Sequence, residues 1–119
     1  MTSLDMDGPY KLTTDKIDQV VSRTSPGNYA LGRVSNSTFC VRYIGRSDSD
    51  VKSRLKRWVG LSKTYQQFKF SYATSPKAAF QKECKNYHDF GGTESLDNEE
   101  HPERPKVRDW KCPFCDIFA

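Results

Sequence analysis

The residues best suited to chemistry lie in the stretch from Gly27 to Arg57. Tyr29 and Tyr43 fall in two neighbouring strand-like segments, and Arg46 and Arg54 follow close behind the second of them. A phosphoryl transition state gathers negative charge on its non-bridging oxygens, and guanidinium groups aimed at those oxygens stabilise it. Two tyrosines with arginines just beyond them are therefore suited to holding a phosphodiester.

A single carboxylate, Glu83, lies in a later segment with helical periodicity, one turn past Phe80. From there its side chain can reach the edge of the core. Mg²⁺ keeps several waters and often needs only one protein carboxylate besides the substrate's own oxygens, so one glutamate suffices for a one-metal site with Mg²⁺ or Mn²⁺. A two-metal site would want a cluster of carboxylates, and the acids between Asp89 and Glu103 form no obvious cluster.

A second set of metal-ligand types lies toward the end of the chain. Cys84 and His88 are four residues apart, so both side chains leave the same face of a helix, and Cys112 and Cys115 have the spacing of a zinc knuckle. Three thiolates and one imidazole form a closed tetrahedral set that is typical of structural zinc. Two alternatives remain: His101 replaces His88, or Cys84 is an ordinary core residue and His88 a cation at a helix end.

These residues must be positioned by a small α+β domain, predicted to span residues 1–119. The pattern indicates a mostly antiparallel sheet, made of an N-terminal β-hairpin and a third strand, with helices packed against it. The predicted helices cover 14–22, 51–60 and 76–88, with Thr14 as the first cap, and the strands cover 29–34, 38–44 and 65–73. Residues 1–12 are predicted to form a loose tail, 26–98 the functional core, 94–105 an irregular acidic segment and 99–119 a zinc-associated tail.

The charges of the chain are segregated. The net charge is +4, yet eight Lys or Arg and only two acids lie between Arg42 and Lys69, whereas six acids and no Lys or Arg lie between Asp89 and Glu103. A positive side of this kind attracts a polyanion such as DNA, with RNA as a further possibility. The alternative is that these charges only solvate a helix face.

The composition also bears on the compartment and on partners. No apolar run approaches the roughly 20 residues of a spanning helix, and the polar, acidic N-terminus does not resemble a signal peptide. We therefore expect a cytoplasmic protein without a membrane partner, in which disulfides are not expected. No second domain that could confer sequence specificity is visible, so tight specificity would require a homodimer or a protein partner.

Four features together resemble the GIY-YIG nuclease superfamily. They are Gly27-Asn28-Tyr29, Tyr43-Ile44-Gly45 one strand later, Arg54 on the next helix and Glu83 on the helix after that. The resemblance covers residues 26–98, and the predicted order β-β-α-β-α is similar to that of the superfamily. It implies hydrolysis of a DNA phosphodiester with one divalent metal.

The resemblance also implies a role for each residue. Tyr43 would help to activate the attacking water, Tyr29 would position that water or the phosphate, and Arg54 would bind the scissile phosphate. Arg46 falls where members often place a basic residue, and Glu83 matches the carboxylate that holds the metal. The residues expected to contact substrate around this centre are Arg42, Lys52, Arg57 and Asn98, of which Asn98 matches a late asparagine of the superfamily.

The chain departs from the superfamily pattern at two positions. Asn28 stands where an aliphatic residue is usual, and Trp58 stands where many members place His or Tyr. Tryptophan cannot accept a proton. Two other functions are therefore kept beside the endonuclease: a catalytically weak module of the same fold that binds branched or damaged DNA or RNA, and a zinc-stabilised domain that recruits a protein partner through its acidic segment.

Overall fold

One four-stranded antiparallel sheet with helices on both faces forms the frame of the protein. The computed structural model describes Leu4, residues 6–61 and 65–98, and Pro102. Its elements are β1 (Asp7–Lys11), α1 (Thr14–Val20), β2 (Gly27–Ser35), β3 (Thr38–Ser47), α2 (Val51–Leu61), β4 (Gln67–Tyr72), α3 (Pro76–Asp89) and α4 (Gly92–Ser95). The strand order is β1-β4-β2-β3, so the hairpin strand β3 forms one edge of the sheet.

The predicted α+β architecture is confirmed, with one correction at the N-terminus. The hairpin of β2 and β3 and the third strand, β4, form as expected, but residues 7–11 of the predicted loose tail are strand β1. This strand pairs with β4, and the Tyr10 ring lies 5.7 Å from that of Phe68. The sequence of β1 does not alternate between apolar and polar residues, so periodicity does not mark it as a strand. It is held in the sheet by its pairing with β4 and by packing on the apolar face of that strand.

The helix ends follow local capping chemistry. Ser75 caps α3 by accepting a hydrogen bond from the backbone of Ala78, with proline at the first helical position. The cap of α1 is Thr13 rather than the predicted Thr14. The short helix α4 overlaps the segment predicted to be irregular, after Gly91 with its positive φ of 95°. None of the described helices is long and apolar enough to cross a membrane.

The core is divided between the two faces of the sheet. Because successive side chains of a strand point to opposite faces, Tyr29 and Leu31 pack with Leu55 of α2, whereas Ala30 and Ile44 pack with Tyr87 of α3. The helices that carry Arg54 and Glu83 therefore lie on opposite faces. Residues from both can meet only around the edge of the sheet, at the end of β3.

Candidate active site

The five predicted catalytic residues line one cleft at the end of β3. This central cleft has a volume of about 300 Å³. Its walls come from β2, β3, the β3–α2 connection, α2 and α3. The lining residues are Tyr29, Tyr43, Gly45, Arg46, Ser47, Asp48, Ser49, Arg54 and Glu83. Residues that are up to 54 positions apart in the sequence are thus brought together.

Gly45 makes room for Tyr29 across the hairpin. The two residues lie directly opposite each other in the β2–β3 register. A Cβ atom built at position 45 would overlap the ring and the hydroxyl oxygen of Tyr29. The glycine that follows Tyr43 and Ile44 therefore lets a large ring lie flat over the neighbouring strand and places its hydroxyl at the cleft.

The Tyr29 hydroxyl is held by Trp58 of α2. The indole Nε1–H of Trp58 donates a hydrogen bond of 2.9 Å to the Tyr29 hydroxyl oxygen. Burial raises the pKa of Tyr29 to about 12, even though the hydrogen bond from Trp58 lowers it. Tyr29 therefore keeps its proton at neutral pH. Since indole only donates, the Tyr29 proton is directed away from Trp58 and can be given to a bound group.

Glu83 is a buried carboxylate with a neighbouring arginine. Its side chain forms an ion pair with Nη1 of Arg46, whose Nε lies 2.8 Å from a carboxylate oxygen of Asp48. Burial raises the pKa of Glu83 to about 7, although the Arg46 guanidinium opposes this shift. One guanidinium thus stands between two carboxylates.

Arg54 approaches the same cleft from α2. Its Nη1 lies 3.4 Å from the backbone carbonyl oxygen of Arg46, which anchors the guanidinium near the end of β3. Arg46 also lies over the ring of Phe80, at 5.1 Å from the centroid. The two guanidinium groups therefore line the cleft from opposite faces of the sheet.

The four predicted substrate-binding residues are not all at the cleft. Arg57 lines an adjoining groove of about 360 Å³ with Tyr29, Tyr43, Arg54 and Trp58. Lys52 instead forms an ion pair of 3.3 Å with Asp18 of α1. Because residues two apart on a helix point in different directions, Lys52 and Arg54 cannot both face the cleft.

Arg42 and Asn98 have structural contacts of their own. Arg42 is paired with Asp97 at 2.8 Å, and Asp97 also accepts a hydrogen bond from Tyr65. The buried side chain of Asn98 accepts from the backbone N–H of Ile44 at 3.0 Å and donates to its carbonyl at 2.8 Å. This amide forms the hydrogen bonds that a neighbouring strand would form at the edge of β3. Asn98 was predicted to contact substrate, but it does not line the cleft.

The structure describes two of the four predicted zinc ligands. Cys84 is fully buried on α3, and His88 is half-buried one turn later, beside the ring of Tyr87 at 5.2 Å. Cys112, Cys115 and the alternative ligand His101 lie outside the described residues. Within the described part of the chain, no three His, Cys, Asp or Glu side chains form a metal-binding group. The zinc site stays a prediction.

Two residues of the site were not among those predicted from the sequence. Asp48 lines the central cleft and pairs with Arg46. Trp58 was noted only as a departure, yet it fixes Tyr29. Its position four residues after Arg54, on the same helix face, is the signal that could have placed it at the site.

Comparison of the chain with family models, with curated proteins and with solved structures found no match.

Proposed function

We propose that this chain is a metal-dependent endonuclease that hydrolyses DNA phosphodiester bonds by a one-metal mechanism of the GIY-YIG type. The observation that carries this proposal is the convergence of Tyr29, Tyr43, Arg46, Arg54 and Glu83 on one cleft. Tyrosines, guanidinium groups and a buried carboxylate are the groups that this chemistry uses.

The two arginines bind and neutralise the phosphate. Arg54 reaches the cleft from α2, and Arg46 reaches it from the end of β3. Their charges stabilise the negative charge that builds up on the non-bridging oxygens during cleavage. Since Arg46 also binds Glu83 and Asp48, we assign the main phosphate contact to Arg54.

The two tyrosines handle hydrogen bonds around the reacting phosphate. Tyr29 is protonated and its oxygen already accepts from Trp58, so its O–H donates a hydrogen bond to a phosphate oxygen or to the attacking water. Tyr43 stacks beside it, with the ring centroids 6.4 Å apart, and lines the same cleft. We assign the contact that activates the water to Tyr43, in accord with the GIY-YIG resemblance.

The residues present fit a divalent cation. Glu83 and Asp48 offer carboxylate oxygens to one cleft, and such ligands suit Mg²⁺ or Mn²⁺. When bound there, the cation supplies Lewis-acid stabilisation of the phosphate charge.

A second candidate, a nucleic-acid-binding module of the same fold, is favoured by one observation. Trp58 occupies the position beside Tyr29 and cannot accept a proton, so it takes no part in general base catalysis. The same arginines would then hold a phosphate without cleaving the strand.

A nicking assay distinguishes the two candidates. Supercoiled plasmid and branched DNA are incubated with the wild type in Mg²⁺, in Mn²⁺ and in EDTA, alongside Glu83→Ala. Metal-dependent nicking that Glu83→Ala loses supports the endonuclease. Retained DNA binding without nicking above the level of Glu83→Ala supports the binding module.

A further inference from the structure

We propose that the groove beside the central cleft binds the base of an unpaired nucleotide, so that the preferred substrate is DNA with an unpaired nucleotide next to the scissile phosphate. This aromatic groove is lined by Tyr29, Tyr43, Arg54, Arg57 and Trp58. The inference rests on the proposed function for the cleavage step. The binding of a base in the groove is a separate property that can be measured without cleavage.

The aromatic groove is continuous with the central cleft. Tyr29, Tyr43 and Arg54 line both. A volume of about 360 Å³ falls within the range of clefts that hold small organic groups, about 300–1,000 Å³. A nucleotide whose phosphate contacts Arg54 therefore has its base directed either out to solvent or into this groove.

The indole of Trp58 is fixed in place before any ligand binds. Its Nε1–H is bonded to Tyr29, and its ring lies 4.7 Å from that of Tyr43 and 5.9 Å from that of Tyr65. The Tyr65 hydroxyl is in turn bonded to Asp97 at 2.8 Å. An aromatic wall held by three neighbours loses little side-chain entropy when a base stacks on it, which favours binding.

The composition of the groove suits a nucleotide rather than a protein side chain or a duplex. Arg54 and the exposed Arg57 suit flanking phosphates, and none of the lining residues within the described part of the chain is acidic. Aromatic side chains stack on bases of any identity, and arginine adds cation–π attraction. In a continuous duplex both faces of each base are already stacked, so only an unpaired base can present a face to Trp58.

Binding is measured in EDTA, where no cleavage occurs, with a labelled oligothymidine and a duplex of the same length. We expect the wild type to bind the single strand more tightly. Trp58→Ala should lose about fivefold to 150-fold in affinity for it, the range for one base–aromatic stack. Trp58→Phe keeps an aromatic face and should lose about threefold or less. Equal affinity for strand and duplex, or equal losses in the two variants, would overturn the inference.

A second arm uses only the wild-type protein, so that folding of the variants does not matter. An abasic strand of the same length keeps the phosphates and removes every base. The inference predicts weaker binding of the abasic strand than of oligothymidine, and equal binding refutes it. Base-dependent binding without any metal-dependent nicking would refute the proposed endonuclease alone, whereas nicking of continuous duplex with base-independent binding would refute the groove alone.

Discussion

At the scale of single residues, the site depends on how burial sets the state of two groups. Tyr29 stays protonated because its side chain is buried against α2. Glu83 has a raised pKa because its carboxylate, on α3, is buried. The resemblance to GIY-YIG nucleases implied that these side chains would meet. The ion pair between Arg46 and Glu83 was not predictable, since it depends on the rotamers of two long side chains and on the depth of burial.

The hydrogen bond from Trp58 to Tyr29 can be removed without removing the aromatic ring. In Trp58→Phe, Tyr29 loses its fixed orientation, and we expect kcat to fall about three- to tenfold, the effect of one neutral hydrogen bond. KM should change little because the stacking face remains. Steady-state kinetics on a branched DNA would give both values.

The matched control is Tyr65→Phe, which removes the hydroxyl bonded to Asp97 in the same aromatic cluster but leaves Tyr29 untouched. It should retain wild-type kcat. Similar losses in the two variants would mean that general loosening of the cluster, rather than the orientation of Tyr29, sets the rate.

The raised pKa of Glu83 predicts a pH-dependent stability. Between its ordinary value of 4.5 and its value of about 7, the folded chain binds more protons than the unfolded chain. The free energy of unfolding therefore falls as the pH rises through this window and is constant above it. At about 1.4 kcal/mol per pKa unit, this group accounts for a loss of roughly 3 kcal/mol.

Glu83→Gln lacks this titration. Urea denaturation in EDTA across the same window should show the variant becoming progressively more stable relative to the wild type as the pH rises. A difference between the two proteins that stays constant with pH would show that Glu83 does not titrate there.

At the scale of elements, the strands and helices of the functional core were largely predictable. The alternation of apolar residues in β4 and the capping residue of α3 lie within or next to these elements. The location of both elements can therefore be predicted from the local sequence. The strand β1 and the sheet-like contact of Asn98 with Ile44 were not predicted, because both depend on pairing with a distant segment. The resemblance suggested that Asn98 contacts substrate, whereas its side-chain amide is hydrogen-bonded to the backbone of Ile44 at the edge of β3.

The close approach of β2 and β3 at Gly45 predicts a strong effect of a small substitution. In Gly45→Ala the new methyl group overlaps the Tyr29 ring, and we expect a loss of about 1–3 kcal/mol in the free energy of unfolding, as for other overpacked sites. Cleavage should fall as well, since the Tyr29 hydroxyl must move. Thermal denaturation and nicking measured on the same preparation test both effects.

Gly60→Ala on α2 is the matched control, since a Cβ atom there meets nothing within 4 Å. It should be neutral or more stable by up to about 1 kcal/mol, because alanine favours a helix over glycine. If Gly45→Ala is as well tolerated as Gly60→Ala, the packing of Tyr29 over Gly45 is not required.

At the scale of the whole molecule, charge segregation predicts where nucleic acid binds. Arg46 and Arg54 of the basic segment line the cleft, and Arg54 and Arg57 line the aromatic groove, but not all charges of the segment face them. Arg57 lines the groove, whereas Lys52, on the same helix, is paired with Asp18. The sequence indicated a basic side, and only the helix register decides which of its cations can reach a phosphate.

Salt titrations of DNA affinity separate these two cations. Arg57→Ala should reduce the slope of log K against log salt by about one, because one phosphate contact is lost. Lys52→Ala removes the same charge from α2 and should leave the slope unchanged. Equal changes in the two variants would indicate attraction by net charge rather than contact within the groove.

The central claim is that the five converging residues form a hydrolytic site that depends on Glu83. Its most direct test is the single-turnover rate of cleavage in Mg²⁺, with DNA affinity measured separately, for the wild type, Glu83→Gln and the control Asp89→Asn on the exposed end of the same helix. The account predicts that Glu83→Gln loses about 100-fold or more in rate with little loss of affinity, while Asp89→Asn retains the wild-type rate. A Glu83→Gln protein that cleaves DNA as fast as the wild type would contradict it.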